Sequence, residues 1–231
     1  DEAVGMIEEQ HRRNGESGIV QPFFLYIAPL APHKPAGKTQ MVQRDYRELG
    51  KEIRLQETPD FNEADVSDKP PHLRAPTLSA ESVKSMHEEF RLRVLATKSV
   101  DDMVGRIRQV LEKTQLAQNT FIFFTSDHGY QLGHNRMIAK KVPYHRNTVV
   151  PMFVVGPGVV PGVADHLLAH IDLVPTFLEI AGGSASIELD GKSWSSLFSN
   201  PPESPDGLFR SNLLIQNWEA KSQLGSLIPA S

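Results

Sequence analysis

The chain has 231 residues, of which 39% are hydrophobic and 23% are charged, and its formal net charge is −4. This length fits one or two domains, and the hydrophobic fraction is large enough for a buried core. The slightly acidic balance gives no basic footprint for binding nucleic acid. No apolar run approaches the ~18 residues that a membrane-spanning helix requires.

The predicted elements begin with a helix before Gly15 and a strand over residues 22–30. An irregular segment follows over residues 36–78, with one helical turn predicted at 40–48. A segment of this length without regular structure usually has a function of its own. The 17 prolines and 16 glycines also fit a loop-rich α/β enzyme better than a helical bundle.

A long amphipathic helix is predicted to begin after Ser79, which can cap it, with Glu81 in its first turn. Asp101 and Asp102 fall inside this helix and are predicted to form a solvated face rather than a metal site. Apolar residues recur at helical spacing and predict a stripe that faces the core. The stripe consists of Val83, Met86, Phe90, Val94, Met103, Val104, Ile107, Val110 and Leu111.

Two further strands are predicted at 120–124 and 149–155, because short runs of β-branched and aromatic residues indicate buried strands. The segment 165–181 is predicted to be a strand followed by a helix, with Pro175 near the helix start. Gly182 and the glycine after it are predicted to end that helix.

Candidate site residues follow two of these strands. Asp127 and His128 come just after strand 120–124, and ligands of α/β sheets bind at the carboxyl ends of strands. A carboxylate beside an imidazole suits a divalent cation, although the same residues also occur in an ordinary polar turn. His33 follows strand 22–30 between two prolines that stiffen the loop. A solvated loop histidine is the alternative, but two histidine-bearing strand ends together favour a site.

Several ordered motifs resemble the sulfatases of the alkaline phosphatase superfamily, and the resemblance runs from about Gln21 to Trp218. The nearest branch is that of N-acetylglucosamine-6-sulfatase-like and bacterial arylsulfatase-like enzymes. It implies an α/β, alkaline phosphatase-like sandwich with a mostly parallel mixed sheet flanked by helices, truncated at both ends. The motifs are APHKP, TSDHGYQLGHNRMIAKKVPY, VPMFVVGPGV, HIDLVPTFLEIAGG and LDGKSWSSLF, together with residues 59–70.

The resemblance implies a role for each candidate residue. Asp127 and His128 match a pair that helps to bind calcium or a similar divalent cation. Lys140 matches the lysine that binds the sulfate group, although it could instead be an ordinary solvated lysine. His33 matches the histidine that contacts the sulfate or assists the leaving group.

Other parts of the chain also acquire an interpretation from the resemblance. The segment 36–78 is expected to line or cover the substrate cleft. His170 and Asp172 are expected to be structural and to dock the following helix on the sheet, so they are left out of the site.

Two segments depart from the pattern of the family. The chain has His134 and Asn135 after the leucine and glycine, and His145 and Arg146 after Tyr144. The two histidines could add positive charge to the cleft or lie on its rim, and we predict the rim. The changed charge balance puts the substrate in doubt more than the class of reaction.

The catalytic nucleophile of the family is a formylglycine made from the first residue of a Cys/Ser-x-Pro-x-Arg motif. The chain contains no cysteine and no Ser-x-Pro-x-Arg. We therefore expect a central and C-terminal piece of a sulfatase, with formylglycine and further metal ligands expected in the complete enzyme. Residues 1–207 are predicted to be the C-terminal part of the catalytic domain. Residues 208–231 are predicted to begin a small C-terminal subdomain, with a strand at 212–218.

The resemblance implies hydrolysis of aryl or sugar sulfates, so the expected partner is a sulfated small molecule or carbohydrate. The missing N-terminal segment of the same enzyme is a further expected partner, and periplasmic, secreted or lysosomal localisation is implied. Three alternatives stay open. The protein could be a phosphomonoester or phosphonate hydrolase of the same superfamily, a non-catalytic sulfatase-like fragment, or one chain of a two-chain enzyme.

Overall fold

The computed structural model describes residues 2–140, 142–199 and 209–216. Short 3-10 turns occur at Arg44–Tyr46, Pro71–Leu73, Ala117–Asn119, His170–Asp172 and Ser195–Leu197. No helix within these residues is both long and apolar enough to cross a bilayer. The helices and strands are α1 (Glu2–Ser17), α2 (Ala80–Lys113), β1 (Ile122–Thr125), β2 (Gln131–Leu132), β3 (Ile138–Ala139), α3 (His145–Thr148), β4 (Met152–Val155) and α4 (Leu173–Ile180).

The long helix α2 begins and ends as its sequence predicts. The backbone N–H of Ser82 donates to the Ser79 hydroxyl at 3.1 Å, which satisfies one of the free donors at the helix start. Glu81 lies in the first turn, where its charge interacts favourably with the helix dipole. The helix is 34 residues long and ends at Lys113, and the N–H of Thr114 bonds back to the Val110 carbonyl at 2.9 Å.

Helix α2 contributes residues to three hydrophobic clusters along its length. Val94 is 38% exposed, whereas Leu95 is only 5% exposed, so the predicted stripe was wrong at that position. The clusters join the helix to α1, to β2 and to the long segment 36–78. Their buried members are Leu55, Phe61, Met86 and Leu132 in the first, Val42, Leu95 and Ala96 in the second, and Ile7, Val110 and Leu111 in the third.

The aspartate pair of α2 lies on the helix surface, as predicted. Lys98 forms an ion pair with Asp101 at 3.3 Å and a second one with Asp102. The hydroxyl of Tyr46 also donates to Asp102. These contacts tie the 3-10 turn around Tyr46 to the helix.

Both strand pairs within the described residues are antiparallel. Strand β1 pairs with β4, from Ile122 opposite Val155 to Thr125 opposite Met152, and β2 pairs with β3. The mostly parallel sheet that was predicted is therefore not confirmed. A parallel pair would need a crossover connection, but here the chain turns back through a small hairpin and the short helix α3.

The predicted strand at 22–30 forms no ladder in the structure. Its side chains nevertheless alternate between packed and exposed positions. Phe23 and Leu25 pack on the hydrophobic cluster that contains Ile7, whereas Phe24 and Tyr26 are 69% and 85% exposed. The sequence pattern therefore identified extended chain correctly, but a strand also needs a hydrogen-bonded neighbour. The predicted strand before Asp172 is likewise absent.

Asp172 is a structural residue, as predicted. It is 0% exposed and forms a two-pronged ion pair with Arg210, at 2.9 and 2.5 Å. Its carboxylate also accepts the N–H groups of Ala169 and Lys192. The ion pair joins the turn before α4 to Arg210, which lies beyond the domain boundary predicted at residue 207.

The C-terminal strand predicted at 212–218 is not confirmed. Residues 212–216 are not in a strand, and residues 217–218 lie outside the described residues.

Candidate active site

Asp127 and His128 lie immediately after β1, where the sequence placed them. The N–H of His128 donates to Asp127 Oδ1 at 3.0 Å, and Asp127 Oδ2 lies 3.2 Å from His128 Nε2. His128 Nδ1 lies 2.8 Å from the carbonyl oxygen of Gly129. Because a carbonyl only accepts, Nδ1 carries the hydrogen and Nε2 presents its lone pair. A carboxylate and an imidazole nitrogen are thus available side by side.

Lys140 directly follows the hairpin formed by β2 and β3. Its ammonium nitrogen lies 2.5 Å from His128 Nε2, and the ammonium is the donor because it has no lone pair. Three of the four predicted site residues therefore meet at one place. Lys140 is half-buried and has a partner, which differs from the solvated lysine that was the alternative. The adjacent Lys141 lies outside the described residues.

Gly129 and Asn147 hold this arrangement together. The N–H of Gly129 donates to the Asn147 carbonyl at 2.9 Å, and a Cβ on Gly129 would lie 1.8 Å from the Arg146 carbonyl oxygen. The Asn147 side chain, which is buried, donates to the Val142 carbonyl at 3.0 Å. One residue of α3 therefore contacts both the Asp127 loop and the chain just after Lys140. The sequence analysis missed Asn147, because a single asparagine in a four-residue helix carries no recognisable signal.

The hairpin also anchors the long segment 36–78 beside the site. Its turn contains Asn135 and Arg136 with φ of 53° and 58°, a conformation that is uncommon for residues other than glycine. The Arg136 guanidinium donates to the backbone carbonyls of Glu63, Ala64 and Ala75. These three bonds hold the segment against the hairpin that precedes Lys140, and its expected role in lining the substrate cleft stays a prediction.

His33 is exposed and stands apart from the other three predicted residues. Its Nδ1 lies 2.6 Å from the Lys34 carbonyl. Within the described part of the chain, no hydrogen bond or ion pair joins it to Asp127, His128 or Lys140. A series of side-chain contacts connects the loop that carries His33 to the loop that carries Asp127 and His128. Lys34 lies 3.6 Å from Glu89, Glu89 bonds to Arg93 at 2.7 Å, and Arg93 covers the ring of Tyr130 at 3.9 Å.

The rim prediction was wrong for His134. The residue is 4% exposed and packs edge-on against Phe61, with ring centroids 5.7 Å apart. Burial lowers the pKa of His134, the positive charge of Arg146 lowers it further, and Asp60 opposes both. His134 is therefore a neutral core residue at neutral pH. His145 is exposed and does lie at the edge of a cleft, as predicted.

That cleft has a volume of about 430 Å³, within the range of small-molecule sites. Gln131 in its lining pairs with Ala139, the residue before Lys140, across the hairpin. Burial raises the pKa of Asp60, but hydrogen bonds from Thr58 and Arg146 outweigh it and hold the pKa below its usual value. The lining residues are Asp60, Gln131, Asn135, Tyr144, His145 and Arg146.

The described residues contain no complete metal site. No group of three or more His, Asp or Glu side chains among residues 2–140, 142–199 and 209–216 could hold a metal ion. Asp127 Oδ2 and His128 Nε2 lie 3.2 Å apart, and the contact of Nδ1 with the Gly129 carbonyl fixes the tautomer of the imidazole. Two ligand atoms would fill only part of the coordination shell of calcium, which contains about six to eight ligands.

Comparison with known proteins decides the family. A family model described as Sulfatase matches residues 15–184. The chain belongs to the sulfatase family. Human N-acetylglucosamine-6-sulfatase is 34% identical over 177 residues, which cover 75% of this chain and 31% of that protein. This sulfatase chain spans between 30% and 42% of the first three curated relatives.

Solved structures agree with this assignment. The sulfatase candidate yidJ from Bacteroides fragilis superposes with a TM-score of 0.67 at 25% identity, over 89% of this chain and 41% of that chain. The protein BT4656, solved in complex with its substrate D-glucosamine-2-N,6-O-disulfate, superposes with a TM-score of 0.51 at 25% identity. That match covers 55% of this chain and 26% of BT4656. The sulfatase fold is thus shared although only small sheets are present in the described residues.

We predict that Gly129→Ala destabilises the protein and separates His128 from Lys140. The added methyl would overlap the Arg146 carbonyl, which is backbone and cannot rotate away. Gly105→Ala is the matched control, because a Cβ there has no atom within 4 Å and helix propensity favours alanine by about 1 kcal/mol. Thermal unfolding should show a lower Tm for the first variant and an equal or higher Tm for the second. Equal Tm values for both variants would contradict the close approach.

We predict that His134 makes the protein less stable in mild acid. Its pKa is depressed in the folded state, so the unfolded chain binds more protons as pH falls below about 6.5. The stability is present above that pH and is lost as pH falls toward the folded pKa. Urea unfolding at pH 7.5 and 5.5 should show a smaller loss for His134→Gln than for the unaltered protein. The exposed His11→Gln is the control, and a loss of the same size in all three proteins would refute the prediction.

Proposed function

We propose that this chain is part of a sulfatase that hydrolyses aryl or sugar sulfate esters to an alcohol and inorganic sulfate. The observation that carries the proposal is the convergence of Lys140, His128 and Asp127 at the end of β1. It occurs within residues 15–184, which match the sulfatase family. The names of relatives support a sugar or an aryl group on the ester, since both N-acetylglucosamine-6-sulfatase and arylsulfatase match.

Lys140 is proposed to bind the sulfate group. Cleavage of a sulfate ester builds negative charge on the oxygen atoms around sulfur and on the leaving oxygen. A positioned ammonium stabilises that charge more strongly in a half-buried site than in water. The contact with His128 Nε2 holds the ammonium at the end of β1.

Asp127 and His128 are proposed to hold a divalent cation, with calcium as the expected ion, together with ligands from elsewhere in the protein. A bound cation would polarise the sulfate oxygen atoms and offset their charge. The residues of this chain supply one anionic oxygen ligand and one neutral nitrogen ligand. The Gly129 carbonyl keeps the hydrogen on Nδ1, so Nε2 would be the ligating nitrogen, and the cation would take the place of the Lys140 ammonium that donates to it in this structure.

His33 is proposed to contact the sulfate or to protonate the leaving oxygen. Its Nδ1 hydrogen is engaged by the Lys34 carbonyl, which leaves Nε2 for the substrate. A proton on Nε2 would pass to the leaving alcohol as the ester bond breaks. The contacts from Lys34 through Glu89 and Arg93 to Tyr130 place this loop and the Asp127 loop on the same part of α2.

The attacking group is proposed to be a formylglycine hydrate, which these 231 residues do not encode, since they contain neither a cysteine nor a Ser-x-Pro-x-Arg motif. The complete protein is further proposed to act outside the cytoplasm, in the periplasm, in a lysosome or after secretion. A phosphoester hydrolase is the nearest alternative in chemistry, and a paired assay separates the two.

We predict that the complete protein hydrolyses 4-nitrophenyl sulfate faster than 4-nitrophenyl phosphate. Lys140→Ala should lower kcat/KM for the sulfate by about 10²–10³, the usual cost of one positioned donor. Lys113→Ala is the matched control, because that lysine is 76% exposed and its ion pair among the described residues is with the exposed Glu8, at 3.3 Å. A preference for the phosphate would favour the alternative. Equal small effects of both substitutions would remove Lys140 from the site.

We predict that His33→Ala distinguishes the two roles of the imidazole. If His33 protonates the leaving oxygen, the loss in kcat should reach about 10²–10⁴ for a sugar sulfate, whose alcohol needs a proton. The loss should be far smaller for 4-nitrophenyl sulfate, whose leaving group is stable as an anion. The exposed His11→Ala serves as the control. Equal losses with both esters would assign His33 to binding of the sulfate instead.

A further inference from the structure

One carboxylate on helix α2 binds two cations that belong to different parts of the candidate site. Glu89 Oε1 accepts from Arg93 Nη2 at 2.7 Å and from Nε at 3.1 Å, while Oε2 lies 3.6 Å from the Lys34 ammonium. Burial raises the pKa of Glu89, but the hydrogen bonds from Arg93 and the positive charges of Arg93 and Lys34 outweigh it and hold the pKa below its usual value. Glu89 is therefore ionised at neutral pH and attracts both cations.

The Lys34 side of this network contacts the loop that carries His33. Lys34 directly follows His33, and its carbonyl oxygen lies 2.6 Å from His33 Nδ1. The N–H of His33 donates to the Leu30 carbonyl at 2.8 Å, and Ala31 packs on the second of the hydrophobic clusters along α2. The ion pair with Glu89 thus adds a charged contact to the apolar contact between this loop and the helix.

The Arg93 side of the network contacts the loop that carries Asp127 and His128. The Arg93 guanidinium covers the Tyr130 ring, with 3.9 Å between Cζ and the ring centroid. Tyr130 shares a peptide group with Gly129, and the carbonyl oxygen of that peptide lies 2.8 Å from His128 Nδ1. A contact that fixes Tyr130 therefore also restricts the carbonyl that orients the imidazole.

We propose that Glu89 is a positioning residue, whose carboxylate holds the two histidine-bearing loops in fixed positions relative to one another on α2. The inference rests on the proposed sulfatase function and adds to it a group that does not touch the substrate. Each imidazole is oriented by a backbone carbonyl, and Glu89 reaches each of the two loops through one cation. The placement matters because a displacement of about 1 Å can lower the rate of an enzyme about 10²-fold.

The neighbouring Glu88 provides a matched control. It forms an ion pair with Arg91 at 2.8 Å, and its side chain is 52% exposed, compared with 17% for Glu89. Within the part of the chain that the structure describes, no hydrogen bond or ion pair joins Glu88 to either histidine-bearing loop. Substitution by glutamine keeps the size of each side chain and removes its charge, so the two variants differ in which network loses a charge.

Glu89→Gln tests the inference in the complete protein. We expect kcat/KM for N-acetylglucosamine 6-sulfate to fall about 10- to 100-fold, and to stay unchanged in Glu88→Gln. In a His33→Ala background, the loss caused by Glu89→Gln should be at least about fivefold smaller, because one of the groups that Glu89 positions is gone. A purely structural role would lower the amount of active protein by the same factor in both backgrounds.

Equal losses in the two backgrounds, or no loss in either, would overturn the inference. If the complete protein hydrolyses no sulfate ester, the proposed function fails and hydrogen exchange decides separately. The probes are the N–H groups of His33 and Gly129, which both donate to backbone carbonyls. Exchange that is at least about twofold faster at both amides in Glu89→Gln, but not in Glu88→Gln, would then support the inference. Exchange that is unchanged at either amide, or equally faster in both variants, would overturn it.

Discussion

The close approach of Gly129 to the backbone of α3 is the constraint on which the candidate site depends. Its N–H bonds to the Asn147 carbonyl at 2.9 Å, and the space for a side chain is filled by the Arg146 carbonyl. The same contact fixes the carbonyl of Gly129 that orients His128. Because the Asn147 side-chain amide also donates to the Val142 carbonyl just after Lys140, α3 holds both segments that carry the ammonium and the imidazole.

A second support comes from α2 and the irregular segment that it carries. Two of the three hydrophobic clusters along α2 fix residues of the segment 36–78 although that segment has little regular structure. Arg136 then binds three carbonyl groups of the segment from the hairpin side. The segment is thus held between a helix and a hairpin, which allows Asp60 to form part of the cleft wall. A loop without ladder bonds needs such side-chain contacts to keep a defined shape.

The sequence by itself determined the features that depend on neighbouring residues. The cap at Ser79 and the apolar repeat predicted α2, and the runs around Ile122 and Val154 predicted the extended chain of β1 and β4. Asp127 and His128 could be singled out because they directly follow one of these runs. The motifs also sufficed for the sulfatase family, since a family match depends on the order of residues and not on their contacts.

Only the tertiary structure decided which strands pair, which polar residues are buried and which loops meet. The antiparallel pairing of β1 and β4, the burial of His134 and the unpaired amide of Gln131 all depend on contacts between segments that are distant in sequence. A histidine on a cleft rim and a histidine against a phenylalanine ring have the same local sequence signal. The difference between them lies in the free energy of burial, which is fixed by the residues that surround the side chain in three dimensions.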